Sequence, residues 1–120
     1  MGTILVVDDS PTALKLVSKA LATAGHHIIM ACNGEEAVAK ATDAHPDLVV
    51  LDVIMPHKNG YQVCRQLKND VKTHNIKIIL FTRQNQQADH FWGMQQSADA
   101  YLAKPFDEAE LLATVAQFLP

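Results

Sequence analysis

At 120 residues the chain is long enough to bury one sizeable core and is expected to form a single domain spanning 1–120, with no effector domain. Hydrophobic residues make up 48% and charged residues 19%, an ordinary globular balance that excludes a disordered or low-complexity chain. The formal net charge is −3 with no basic block, so nucleic acid is not an expected partner.

The first expected strand covers residues 4–7 and is followed by Asp8 and Asp9. Ser10 before Pro11 reads as an N-cap with proline in the first turn. Leu14, Val17, Leu21 and Ala24 then recur on one helical face, and Gly25 offers a stop. A second strand is expected over 28–31, after which Asn33 and Glu36 have the spacing of a capping box. The third strand, 48–51, runs into Asp52, and residues 60–69 fill the next helical slot. The fourth strand, 77–81, runs into Thr82, and residues 86–96 fill a further helical slot with weaker amphipathic character. The last strand, 101–103, leads to Lys104 and Pro105. Asp107 with Glu110 then forms a second capping-box pattern ahead of the apolar stripe Leu111, Leu112, Val115 and Leu119.

Nearly continuous β-branched and leucine runs suit parallel strands covered on both faces. Five alternating βα units therefore predict an α/β fold, a (βα)5 doubly wound parallel sheet. In the flavodoxin-like order 2-1-3-4-5 the strand ends share one edge, with strands 1 and 3 adjacent at the switch point where such sheets bind ligands. Asp8, Asp9, Asp52, Thr82 and Lys104 all fall just past strand ends, so they converge there. Singly, each has an ordinary use as a cap, turn or strand terminus. It is their joint placement that points to chemistry.

Three crowded carboxylates repel one another, and a divalent cation relieves that repulsion. Oxygen-only ligands favour Mg²⁺, with Mn²⁺ the alternative, and Mg²⁺ keeps waters that a phosphate can displace. A carboxylate can act as nucleophile to form an aspartyl phosphate, with Lys104 neutralising charge and the Thr82 hydroxyl donating to a transferred oxygen. The longest apolar runs are far too short to span a membrane, and the first residues lack signal-peptide character. Cys32 and Cys64 form no disulfide or zinc pattern, and the six histidines show no metal spacing. A cytoplasmic protein with reduced cysteines is expected, without membrane attachment and as a monomer.

The stretches Val6-Val7-Asp8-Asp9-Ser10, Leu51-Asp52-Val53-Ile54-Met55-Pro56 with Gly60, Phe81-Thr82 and Tyr101-Leu102-Ala103-Lys104-Pro105-Phe106 resemble the receiver domains of two-component response regulators, including chemotaxis-type CheY proteins. The resemblance spans essentially the whole chain. It implies that Asp52 is the phosphoacceptor, taking its phosphoryl group from a histidine kinase or phosphotransfer domain. It implies Mg²⁺ held by Asp9, Asp52 and the backbone carbonyl of Ile54, with Asp8 acting through water. It also implies that Thr82 and Tyr101 form a switch that remodels the face of the fourth helix, fifth strand and fifth helix for a downstream protein target. The Lys104–Pro105 bond is usually cis in such domains. Residues 91–98 around Trp92, with Tyr101-Leu102 and the opening Asp-Asp-Ser-Pro-Thr, further resemble single-domain regulators of type IV pilus twitching motility (PilH-like). Trp92 reads equally as sheet packing or as a partner anchor.

Two positions depart from the receiver pattern. Arg83 stands where a small residue usually follows the threonine, and Ile54 is apolar and unable to position a hydrolytic water. Both form the pocket rim, and slow self-dephosphorylation is expected. The chain is expected not to be an enzyme, beyond assisting its own phosphoryl transfer and dephosphorylation, and a role as phosphate sink for a shared kinase is the alternative output. A haloacid-dehalogenase-like phosphatase would need a second Asp where Ile54 stands, plus a cap and a general acid. A nucleotide-binding module would need glycines where the turn reads Asp8-Asp9-Ser10-Pro11.

Overall fold

The computed structural model describes residues 2–83 and 98–120. The helical slot expected over 86–96, with Trp92, lies outside the described residues. In chain order the elements are β1 (Thr3–Val7), α1 (Pro11–Thr23), β2 (His27–Ala31), α2 (Gly34–Ala44), β3 (Leu48–Asp52), α3 (Gly60–Lys68), β4 (Lys77–Arg83), β5 (Ala100–Lys104) and α4 (Glu108–Ala116). The strands form one sheet in the order β2-β1-β3-β4-β5, and every neighbouring pair is parallel.

The period of two along each strand divides the core into two layers. Leu5, Val7, Val49, Leu51, Ile78 and Leu80 face Ala37 and Ala41 of α2 and Val63, Cys64 and Leu67 of α3. Ile4, Val6, Leu48, Val50, Ile79 and Phe81 face the other way, onto Val17 and Leu21 of α1 and Leu111 and Val115 of α4. Each such Leu or Ile contributes about 1.5–3 kcal/mol on burial, against about 1 kcal/mol for a typical N-cap, so the two layers hold the sheet and the caps only place helix ends.

The caps follow the sequence with two refinements. Asp107 and Glu110 form a full capping box, whereas Asn33 accepts from the Glu36 N–H at 2.8 Å while Glu36 Oε1 reaches one residue further back, to the Cys32 N–H at 2.7 Å. Gly25 has φ 100°, with its N–H on the Ala22 carbonyl and the His26 N–H on that of Leu21, the paired bonds of a Schellman stop. Ala24 is the C-cap and is exposed, not part of the buried face. Leu119 packs on the core from beyond the end of α4.

Three strands run further at their C-terminal ends than the apolar runs indicate. Asp52 pairs with Phe81, Thr82 with Ala103, and Arg83 with Lys104. The polar residues are thus the terminal rungs of the ladder and not the first residues of loops, because backbone pairing does not depend on side-chain polarity. Their positions are fixed by the sheet itself.

Candidate functional site

The C-terminal edge of the sheet gathers side chains from four strands. Asp8 follows β1, and its N–H donates to the Ala31 carbonyl at 3.2 Å, which ties it to the end of β2. Asp52 closes β3 and is 3% exposed; the next residue, Val53, donates its N–H to the Phe81 carbonyl of β4 at 3.1 Å. Lys104, the last residue of β5, places Nζ 3.2 Å from Asp8 Oδ2 and 3.4 Å from Asp52 Oδ1. It bridges two buried carboxylates, the first of them 96 positions before it in the chain. Its ammonium also lies 5.8 Å from the centroid of the Phe81 ring, which stacks at a tilt on Phe106 at 4.9 Å.

Gly60 explains how α3 meets this edge. A Cβ there would stand 2.5 Å from the Asp52 carbonyl oxygen and 2.8 Å from Val53 Cα. The first turn of α3 thus rests on the backbone that carries Asp52, and the Gly60 N–H donates to the Val53 carbonyl at 2.8 Å. Asn59 and Gln62 form a capping box that fixes where this helix begins. In the connecting loop His57 sits at φ 68° within a three-residue turn closed by the Lys58 N–H on the Pro56 carbonyl at 2.8 Å.

One oxygen of Asp8, Oδ1, accepts from the Ser10 N–H at 2.9 Å and the other faces Lys104. Asp52 Oδ1 is buried, and among the described residues no donor lies within hydrogen-bonding geometry of it; the ammonium at 3.4 Å acts on it as a charge. Burial holds the Asp52 carboxyl above the usual carboxylate range, and the neighbouring Asp8 adds to this, while Lys104 and Arg83 oppose it. A group in that state gains from a cation that replaces lost hydration.

Asp8, Asp9 and Asp52 each offer a carboxylate oxygen, all within 4.8 Å of one another. The all-oxygen donor set and the buried Asp52 Oδ1 fit a hard divalent cation.

Thr82 is 5% exposed at the end of β4. Tyr101, paired with Leu80, packs on the α3-side core, and burial, with Cys64 and Asp99 adding to it, pushes its phenol up to about 12. Lys104–Pro105 is cis. The Ile54 side chain is 45% exposed, and Arg83 is exposed at the end of β4. Beside Arg83 and Lys104 opens a groove of about 670 Å³ between α1 and the start of α4, floored by Leu16, Val17, Ala20, Phe106 and Leu111. The expected site residues Asp8, Asp52 and Lys104 are in direct ion-pair contact, Asp9 joins them by its carboxylate, and Thr82, Arg83 and Ile54 stand around them. The residues that the sequence did not single out are Asn59 and Gln62, whose i, i+3 spacing is itself a capping-box signature, and the loop turn at His57, which has no local signal.

The profile of the response regulator receiver domain matches residues 4–116. Protein PilH of Pseudomonas aeruginosa is 44% identical over 115 residues, covering 96% of this chain and 95% of PilH. The chemotaxis response regulator CheY4 of Vibrio cholerae has the same fold at TM-score 0.91 and 30% identity, over 98% of each chain. The receiver domain of sensor histidine kinase PA1611 from Pseudomonas aeruginosa PAO1, solved with a magnesium ion coordinated in its active site cleft, matches at TM-score 0.90 and 27% identity, over 98% of this chain and 97% of that one. The chain spans about half the length of the transcriptional regulators it also matches.

Proposed function

The chain belongs to the response regulator receiver domain family, and we propose that it works as a phosphoacceptor switch charged at Asp52. The observation that carries this reading is Lys104, held between the buried carboxylates of Asp8 and Asp52. A carboxylate oxygen of Asp52 attacks the phosphorus of a phosphohistidine on a histidine kinase or phosphotransfer domain. The new O–P bond forms as the P–N bond breaks, and the imidazole keeps the electron pair. Asp9, Asp52 and the Ile54 backbone carbonyl would hold a magnesium ion, with Asp8 reaching it through water, and the ion would supply charge neutralisation at the transferred oxygens. Lys104 Nζ, already aimed at Asp52, neutralises a further share of that charge, and the Thr82 hydroxyl donates to one phosphoryl oxygen. Asp8 keeps the ammonium on the acceptor side.

Phosphorylation adds nearly two negative charges beside Thr82. Thr82 and Leu80 are alternate residues of β4, and Leu80 pairs with Tyr101, so a shift of Thr82 is passed to the ring along one strand. The output is a change in affinity for a protein target rather than turnover of a substrate. The resemblance to twitching-motility regulators supports a place in pilus or chemotaxis-type signalling. Incubation with acetyl phosphate and Mg²⁺ tests the reading. One phosphoryl group is expected on Asp52, mapped by mass spectrometry, and none in Asp52→Ala; a wild-type chain that gains no mass refutes it.

A further inference from the structure

Lys104 is already engaged by Asp8 and Asp52, so its charge is spent on the site's own carboxylates. Arg83 is in the opposite position. It pairs in register with Lys104 as the last rung of β4 and β5, so the two side chains leave the sheet on the same face. Both line the groove beside α1, together with the acids Asp107 and Glu108. Arg83 is exposed, and among the described residues it forms no ion pair. A guanidinium there offers a planar fork of donors suited to phosphate oxygens.

We propose that Arg83 is a donor-specificity residue: an exposed second cation at the mouth of the Asp52 pocket that favours phosphodonors carrying two negative charges over those carrying one. The inference rests on Asp52 being the phosphoacceptor. With a dianionic acyl phosphate such as acetyl phosphate, an Asp52 oxygen bonds to phosphorus, the P–O bond to the acyl group breaks, and acetate leaves with the electron pair. With phosphoramidate, a net monoanion whose proton sits on nitrogen, the same O–P bond forms, the P–N bond breaks, and neutral ammonia leaves with the electron pair. Asp52 and Lys104 serve both reactions alike. Arg83 discriminates by net charge, as an exposed cation beside the half-buried Lys104 on the same face of the sheet.

The test is the phosphorylation rate of wild type, Arg83→Ala and Arg83→Lys with each donor, at low and high ionic strength, with folding checked by circular dichroism. Arg83→Ala is expected to slow acetyl phosphate by about three- to tenfold at low salt, the scale of one unscreened charge at a solvated site. Arg83→Lys should retain most of the wild-type rate, phosphoramidate should change less than about twofold, and the acetyl phosphate effect should shrink as salt rises. Equal rates for Arg83→Ala and wild type with acetyl phosphate, or an equal fall with both donors, overturn the inference while the acceptor role of Asp52 stands. A wild-type chain that is not labelled on Asp52 by either donor overturns both.

Discussion

Replacing Gly60 by alanine places one methyl group against the backbone that carries Asp52. The Cβ would stand 2.5 Å from the Asp52 carbonyl oxygen, roughly 1 Å inside ordinary contact distance. Neither that carbonyl nor Val53 Cα can rotate away as a flexible side chain would, so α3 or the end of β3 must move. Overpacking of this kind costs about 1–3 kcal/mol. The loss of glycine freedom in the unfolded chain returns about 0.4–1 kcal/mol. The balance is a destabilisation of about 1–2 kcal/mol, which for a domain of this size lowers Tm by about 4–8 °C. Phosphorylation should fall by more than stability alone accounts for, because a displaced Asp52 leaves the Lys104 ammonium behind; a 1 Å misplacement can cost about 100-fold. The assay pairs a thermal melt by circular dichroism with the acetyl phosphate labelling rate. Gly25→Ala is the control, since φ 100° also penalises alanine there but far from the site. Gly25→Ala should melt earlier yet label at the wild-type rate when folded. A Gly60→Ala protein that melts and labels like wild type refutes the reasoning.

Asp52→Asn should raise Tm at neutral pH. Burial raises the folded-state pKa of Asp52, so the native chain binds the proton more tightly than the unfolded chain, and wild-type stability falls as pH climbs from the ordinary carboxylate range through that raised value. Melts of the two proteins across that range should diverge upward in pH; parallel curves would contradict the sign. Mg²⁺ at about 100 times its Kd should stabilise wild type by about 2.7 kcal/mol, and Asp9→Ala should blunt the effect, so an undiminished shift in Asp9→Ala would place the ion elsewhere. The 45% exposed Ile54 offers water no hydrogen bond at the pocket mouth, and Ile54→Asn should shorten the lifetime of the acyl phosphate severalfold. A wild-type lifetime of seconds, unchanged in Ile54→Asn, counts against that role. Ser18 is buried with its Oγ unpaired among the described residues, so Ser18→Ala should leave Tm unchanged or raise it, and a marked drop in a melt would reveal a partner.

The strands and helix ends were legible because their signals are local and repeated, whereas the strand order came from the flavodoxin-like pattern of doubly wound sheets. Residues 4–7 and 48–51 are unbroken apolar runs, and Ser10-Pro11, Gly25 and Asp107 mark helix ends by chemistry confined to a few residues. The site was legible one step further on, because topology alone carries Asp8, Asp52 and Lys104 to one edge. What escaped is what depends on pairing across the fold. Asp52, Thr82 and Lys104 read as loop residues because hydropathy reports side chains, whereas register partners set strand ends. The contact of Gly60 with Asp52 was invisible for the same reason, since seven residues separate them and only the folded backbone brings them together. The half-buried state of Tyr101 was equally beyond periodicity, since an aromatic in a last strand packs the same way whether it switches or not.

The ion pair between Lys104 and Asp8 joins residues 96 positions apart. No stretch of sequence contains the acceptor machinery, and no partly assembled sheet does either, since β1, β3 and β5 must all be in register before the lysine meets its carboxylates. On the proposed role of Asp52, competence to take a phosphoryl group would therefore be a property of the finished fold. A nascent chain on the ribosome would then lack its lysine at the acceptor until β5 has docked, as would a chain that has opened at β5. The signalling pool would count only intact molecules, and the lysine proposed to neutralise the phosphoryl group would also certify that the domain around it is whole.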